Sequence, residues 1–365
     1  MKPNLNWLLA FIPITLLLEH VVHAAPPVLF FSAALAIVPI AALIVRSTEQ
    51  IATRTGDAVG GLLNATFGNA PELIIALVAL KAGYLDMVRG SIIGAILANL
   101  LLALGLSFFL GGLRKKDQVY NPTASRTYST MMLLAAISLG VPSAFSRYFA
   151  PEGTMRAEQM LNLGVAGTLL AAYVLYLVFS LKTHPKAFES VEGGDGGGHH
   201  HEGPAWSMPR AIGSLVGASV GAAWMSEILV GAAEGTGEAL GMSQVFIGIV
   251  FLAIVGGAAE SGSAIAMGRK DKMDLSVGIA LGSSIQIALF VAPMLVFASY
   301  FIAPEPLELS FNRAEVGSLF LGVIVATVVC GDGRANWFKG IQLVTLYAII
   351  ALMFYFLPVA SVATP

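Results

Sequence analysis

The sequence predicts an all-α membrane protein of eleven transmembrane helices, one N-terminal helix followed by two inverted five-helix repeats. Three observations carry this. The 365 residues are 56% hydrophobic and only 12% charged, with a mean hydropathy of +0.79, whereas a soluble domain carries about 25% charged residues. Apolar runs of about 18 residues or more, enough to span a bilayer as a helix, recur along the whole chain. Finally, GNAPELIIALVALKAGYLDMVRGSIIG from Gly68 and GGAAESGSAIAMGRKDKMDLSVGIALG from Gly256 match without a gap, pairing Gly68 with Gly256, Glu72 with Glu260, Asp86 with Asp274, Gly90 with Gly278 and Gly94 with Gly282. A β-barrel would need alternating segments of about 10 residues, and the chain has none.

The apolar runs fall at 7–24, 27–46, 58–81, 90–112, 127–148, 159–181, 210–232, 240–267, 274–301, 314–331 and 337–358. The first, within residues 1–26, has a Lys-containing start and His-Ala-Ala before Pro26, which also fits a cleaved signal peptide; Glu19 and His20 late in the run speak against that. Between the sixth and seventh runs, residues 182–208 contain FESVEGGDGGGHHHEGP. Glycine clusters without apolar periodicity read as a flexible polar linker. Five helices precede it in 27–181 and five follow in 209–365. Five is odd, so the two halves must lie in opposite orientations, an arrangement typical of secondary transporters with a site near the membrane midplane.

With the N-terminus in the cytoplasm and the C-terminus outside, fifteen of the 20 basic residues fall on the cytoplasmic side, as the positive-inside rule requires. A prokaryotic inner membrane is the expected location. The single Cys330 excludes a disulfide framework and a cysteine metal site.

An ionisable group inside a membrane segment costs roughly 2.5–3.5 kcal/mol on insertion scales and marks function by default. Glu72 and Glu260 are two such groups at equivalent points of the repeat. Gly68, Asn69 and Pro71 break the helix just before Glu72, and Gly256 and Gly257 loosen it before Glu260. Breaks free backbone carbonyls, which the bilayer core tolerates only where they face protein or a cavity. Two carboxyls and several carbonyls make an all-oxygen site of the kind a hard cation such as calcium prefers. The next helix of each half adds Asn99, and Gln286 beside Ser283 and Ser284. Their oxygens suit the same shell, although small and amide residues also serve simply to hold membrane helices together. A carboxyl that alternates between a proton and a share of a divalent cation meets the minimal requirement for antiport.

Other acids admit two readings. Glu49, Glu227 and Glu234, near helix ends, fit a cavity mouth or an interface in contact with water. Asp86 and Asp274 fit helix N-terminal caps. In the linker, Glu192, Asp195, His199, His200, His201 and Glu202 fit a regulatory metal site or a solvated loop.

GNAPE at Gly68–Glu72 followed by GSIIGAILANLLLALG, and RKDKMDLSVGIALGSSIQIALF at Arg269–Phe290, resemble the two α-repeats of the CAX-type calcium/proton exchangers of the calcium/cation antiporter superfamily. The resemblance covers nearly the whole chain. It implies that Glu72 and Glu260 bind the ion and the proton, with Asn99 and Gln286 as partners, and that the first helix lies outside the repeats. The second motif departs from the family's Gly-Asn-Ala-x-Glu-His: Gly257 stands for Asn and Ser261 for His, so Asn69 lacks a symmetric mate. The expected function is secondary active export of calcium from the cytoplasm in exchange for protons. Sodium/calcium or manganese exchange is the alternative within the class. A passive channel tolerates this composition, whereas an intramembrane metal enzyme would need paired His or Cys ligands. Calcium is cargo; no cofactor and no nucleic acid is expected, and the sequence assigns no oligomeric state.

Overall fold

In the computed structural model, residues 5–55, 60, 63, 66–150, 153–188 and 206–357 are described. The linker acids and histidines, Glu192 to Glu202, lie outside them. Helices dominate: α1 (Trp7–Val22), α2 (Pro26–Thr55), α3 (Ala70–Lys81), α4 (Leu85–Gly112), α5 (Pro122–Phe149), α6 (Met155–Thr183), α7 (Met208–Leu240), α8 (Gln244–Gly256), α9 (Ala258–Arg269), α10 (Met273–Ile302), α11 (Arg313–Cys330) and α12 (Trp337–Phe356). Among the described residues, eight of these are long and apolar enough to cross a membrane, and α8 with α9, bent by 59° at Gly257, makes nine. The chain is an integral, multi-pass membrane protein. The remaining two expected spans correspond to α1 and to α3, before which the described residues Gly60, Leu63, Thr66 and Phe67 are also helical.

Side-chain caps set several helix starts. The Asn121 side chain accepts from the Thr123 and Ala124 N–H groups at the start of α5, and Asn312 and Glu315 form a capping box at α11. Asp86 and Asp274 do not cap. They sit one residue inside α4 and α10, where Asp86 pairs with Arg89 and Asp274 accepts the Asn121 N–H.

Helix pairing places the site. α2 and α7 run antiparallel: Ser47 bonds Ser214 at 2.9 Å, while Ile40 packs on Gly221. α4 runs parallel to α8 and then to α9. Gly90 meets Val245, Gly94 meets Ile249, Ser107 donates to the Ala264 carbonyl, and Gly111 meets Gly268. Glycine allows these backbones to touch.

At one end of the bundle, Gln118–Val119 (β1) pairs antiparallel with Arg334–Ala335 (β2). There the Gln118 amide donates to Gly268 O and Asp271 Oδ1, tying the end of α9 to the α4–α5 loop. Lys115 pairs with Asp271, and its hydrogen bond holds that carboxyl below the usual aspartate range. At the other end, the segment after α10 threads Leu307, Leu309 and Phe311 into the core. Asn162 and Ser143 bond its backbone.

Candidate functional site

The helix breaks lie where the glycines and proline put them. Asn69 (φ −96°, ψ 25°) precedes α3 and Gly257 (φ −77°, ψ 6°) precedes α9, both outside helical geometry. Glu72 and Glu260 therefore occupy the first turns of two half-helices, where the helix dipole favours negative charge. Asn69 spends no side-chain atom on capping. Its amide nitrogen donates to Gln286 Oε1 at 2.6 Å, and its amide oxygen accepts from Ser283 Oγ at 2.7 Å.

Ser283 is the hub. It also accepts from Asn99 Nδ2 at 3.0 Å and lies in hydrogen-bond contact with Glu260 Oε2. One hydroxyl carries one proton, yet two acceptors surround it, Asn69 Oδ1 and Glu260. All contacts are satisfied together only when the Glu260 carboxyl itself donates to Ser283. When Glu260 is ionised, Ser283 turns its proton there and Asn69 loses its donor. The cluster thus has two hydrogen-bond patterns, distinguished by one proton.

Glu72 contrasts with this. It is 9% exposed, and neither carboxyl oxygen accepts a hydrogen bond from another of the described residues. A buried carboxyl without donors is costly, so its oxygens are available to a cation or a proton. Gly256 and Gly257 border it: a Cβ at Gly256 would lie 3.0 Å from Glu72 Cγ, and one at Gly257 would lie 3.5 Å from Glu72 Oε1 and 3.8 Å from Asn99 Oδ1. Glu72, Asn69, Asn99, Glu260, Ser283, Gln286, Gly256 and Gly257 therefore converge, and Gly68 is buried in the turn beside Asn69. Ser284 does not join; its hydroxyl bonds the Ala280 carbonyl one turn back.

The two half-helices differ in surroundings. α3 is largely buried, and a small crevice beside Glu72 is lined by Ile75, Ile92, Leu252 and Leu295. α9 is mostly half-buried, with Gly262 exposed. The acids expected at a cavity mouth are dispersed. Glu49 is half-buried at the Ser47 end of α2, while Glu227 and Glu234 are exposed toward the other end, where Tyr84 donates to Glu234 at 3.1 Å.

Sequence reasoning missed one shared feature. Widened π-helical turns occupy Ala98–Ala103 and Ile287–Val291, the first containing Asn99 and the second starting just after Gln286. Such turns often mark functional positions, and hydropathy carries no trace of them.

A sequence profile of the sodium/calcium exchanger protein family matches residues 25–182 and 210–356. The chain belongs to this family. Among its exchanger relatives, the Ca(2+)/H(+) antiporter of Aphanothece halophytica is 40% identical over 372 residues, covering 96% of this chain and 96% of the relative. The Ca(2+)/H(+) antiporter ChaA of Bacillus subtilis is 40% identical over 337 residues, covering 92% and 94%. The structure of native YfkE superposes with a TM-score of 0.83 at 35% identity, covering 97% of this chain and 100% of that one. The H+/Ca2+ exchanger CAX shares the fold, with a TM-score of 0.69 at 14% identity over 96% and 91% of the two chains.

Proposed function

We propose that this exchanger exports calcium from the cytoplasm in exchange for protons, using Glu72 and Glu260 as one shared site near the membrane midplane. The observation that carries the reading is the pairing of a buried Glu72, whose carboxyl accepts from no other described residue, with a Glu260 whose hydrogen-bond network has two protonation-dependent forms. Calcium wants about 6–8 oxygens; the two carboxyls, the Asn69, Asn99 and Gln286 amides and the carbonyls freed at the two breaks offer an all-oxygen set. Protons compete for the same carboxyls, so each ligand displaces the other, and no cofactor is needed. The names of the relatives, Ca(2+)/H(+) antiporters, support the same cargo.

The finer architecture in this proposal is eleven transmembrane helices: α1 outside the repeats, then five helices in 27–181 and five in 209–365, inverted. The antiparallel α2–α7 pair, the mated breaks and the two-part family match support it. The N-terminus lies in a prokaryotic cytoplasm and the C-terminus outside. The half-buried α9 then leads from Glu260 toward the cytoplasmic face, while apolar side chains including Ile75 and Leu295 line the crevice beside Glu72.

Purified protein in calcium-loaded or calcium-free vesicles tests this. An imposed pH gradient drives calcium uphill, and a protonophore abolishes the uptake. Uptake driven by a sodium gradient alone moves the assignment to sodium/calcium exchange, manganese preference changes the cargo, and dissipative flux without uphill movement identifies a channel.

A further inference from the structure

The crevice beside Glu72 is drawn from α3, α4, α8 and α10, and its volume is about 10 Å³. By that measure a water needs about 10–15 Å³, so the crevice suits a single water and is too narrow for a hydrated calcium ion. Nine of its eleven lining residues are apolar. The two polar ones are Glu72, whose carboxyl oxygens accept from no other described residue, and Ser91. Ten of the eleven are buried, and Ser91 alone is half-buried. The crevice therefore joins a buried carboxyl to one partly exposed hydroxyl.

Ser91 lies in the outer half of the bundle. It is level with Gly248 near the start of α8, where a Cβ on Gly248 would come within 3.0 Å of the Ser91 nitrogen. Ser107 and Ala264 meet toward the opposite end, the cytoplasmic one in the orientation proposed above. The Ser91 hydroxyl donates to the Val88 carbonyl at 2.8 Å, which leaves its lone pairs to accept a bond. Among the described residues that hydroxyl bonds its own helix and no other, so it does not serve as the interhelical glue that many membrane serines provide. The repeat does not call for a hydroxyl either, since its mate is Ile279. Ile287 and Val291, the two ends of the widened turn in α10, form part of the wall, and such turns are frequent at functional positions.

Glu72 is the one titratable group that lines the crevice, and Glu260 is near enough to act on it across the breaks. The other charges on neighbouring elements are engaged or exposed: Asp86 and Arg89 of α4 pair with each other, Lys81 ends α3 in the open, Glu227 and Glu234 of α7 are exposed, and Arg46, Glu49 and Arg54 of α2 lie toward the opposite end. We infer that a water held between Glu72 and Ser91 delivers protons to Glu72 from the outer face, while calcium leaves by a wider opening. Ser91 is then a positioning residue for the proton transfer. A hydronium gives its proton to the ionised Glu72 carboxylate and becomes water, and Ser91 Oγ accepts one of the hydrogens of that water. This rests on the shared carboxyl site proposed above.

Calcium uptake into everted vesicles, whose lumen corresponds to the outer face, tests it. Ser91→Ala removes the acceptor, and Ser91→Val also fills space at the exposed end. Proton-driven uptake should fall about ten-fold in both, the scale of one lost buried hydrogen-bond partner, whereas calcium-for-calcium exchange should stay near wild type. Acidifying the lumen should restore the uptake, because more protons offset slow delivery; acidifying the medium should not. Ser91→Thr, which keeps the hydroxyl, should behave as wild type. Ser91→Cys should react faster with a membrane-impermeant thiosulfonate applied to the outer face than to the cytoplasmic face, with the wild type, whose single thiol is the buried Cys330, as the blank. Equal loss of both fluxes at every lumenal pH, or normal proton-driven uptake in both Ser91→Ala and Ser91→Val, overturns the inference, as does modification of Ser91→Cys from the cytoplasmic face alone. None of these results touches the shared site, whose own failure would be proton-coupled transport in Glu72→Gln.

Discussion

Gly257 presents its bare α-carbon to Glu72, so that a Cβ there would lie 3.5 Å from Glu72 Oε1. Its repeat mate, Asn69, carries an amide that bonds Gln286 and Ser283. The asymmetry of the site is therefore a missing amide on one side of it. Gly257→Asn should supply Glu72, which accepts from no other described residue, with a donor, and add a further oxygen near Asn99, after a shift of a few tenths of an ångström from the Ala253 carbonyl at 3.2 Å. A hydrogen bond to a charged group is worth about 1.5–3 kcal/mol, so apparent calcium affinity, or the preference of calcium over manganese, should move by about ten-fold or more. Titration of calcium-dependent flux with each cation reads this. Identical constants in variant and wild type would show that position 257 does not reach the ion.

Gly94 and Gly282 are mates in sequence but not in packing. A Cβ at Gly94 would lie 2.2 Å from the Ile249 carbonyl oxygen and 2.5 Å from its Cα, backbone that cannot rotate away; at Gly282 it would meet nothing within 4 Å. Gly94→Ala should thus force α4 and α8 apart and destabilise the protein by about 1–3 kcal/mol or more. Gly282→Ala should stay within about 0.5 kcal/mol of wild type. Thermal unfolding in detergent, followed by the loss of monodisperse protein, compares the two. Equal melting temperatures would contradict the close α4–α8 contact.

The contrast between these glycines shows what the sequence could convey. Register survives in the residue pattern, so the repeat, the breaks at Asn69 and Gly257, and the pairing of Glu72 with Glu260 were all legible. Hydropathy placed each of the eight long apolar helices found among the described residues, and the bent α8–α9 pair, although the end of α2 runs on to Thr55 and that of α7 to Leu240, well past the apolar runs. Facing was not legible. Ser283 and Ser284 are adjacent and chemically identical, yet one links three polar side chains and the other bonds its own helix; only the rotation of α10 separates them. Asp86 and Asp274 read as caps because they precede apolar runs, but α4 and α10 start one residue earlier, and Asp86 pairs with Arg89 one turn on while Asp274 turns to the Asn121 N–H. Arg46 and Arg210, 164 residues apart, both lie over the Trp206 ring, and no local pattern announces that two helices bring them together.

Ser283→Ala should separate proton handling from cation binding. It deletes the hydroxyl whose single proton is shared between Glu260 and Asn69, but leaves both carboxyls in place. Removing a buried hydrogen-bond partner costs about 1–3 kcal/mol, so proton-driven calcium uptake should fall by about ten-fold. Calcium-for-calcium exchange, which requires no proton, should change by only a few-fold. The two fluxes can be measured on the same vesicles with labelled calcium. Proportional loss of both would make Ser283 a plain calcium ligand or a packing residue, and retention of both would remove it from the mechanism.

The carboxyls themselves make the strictest demand. Glu72→Gln and Glu260→Gln keep the shape of the side chain but fix it as neutral, mimicking a carboxyl that never releases its proton. If the two groups form one shared site, either change should abolish calcium uptake and calcium-driven proton release together, and calcium-for-calcium exchange with them. Folding should survive, because a neutral amide is less costly to bury than a charge; for Glu72, which accepts no hydrogen bond from other described residues, none is lost. In wild type the proton competes with calcium for the same oxygens. Apparent calcium affinity should therefore rise as pH rises and the carboxyls empty, then level off once they are fully ionised. In the surviving single-carboxyl variants any residual calcium binding should show a shallower dependence on pH, since one competing proton has been removed. Isothermal titration over a pH series, alongside flux in vesicles, supplies both readouts. Robust proton-coupled calcium transport in either Gln variant would refute the shared site, while intact calcium binding with lost proton release in one of them would assign the two roles to different carboxyls.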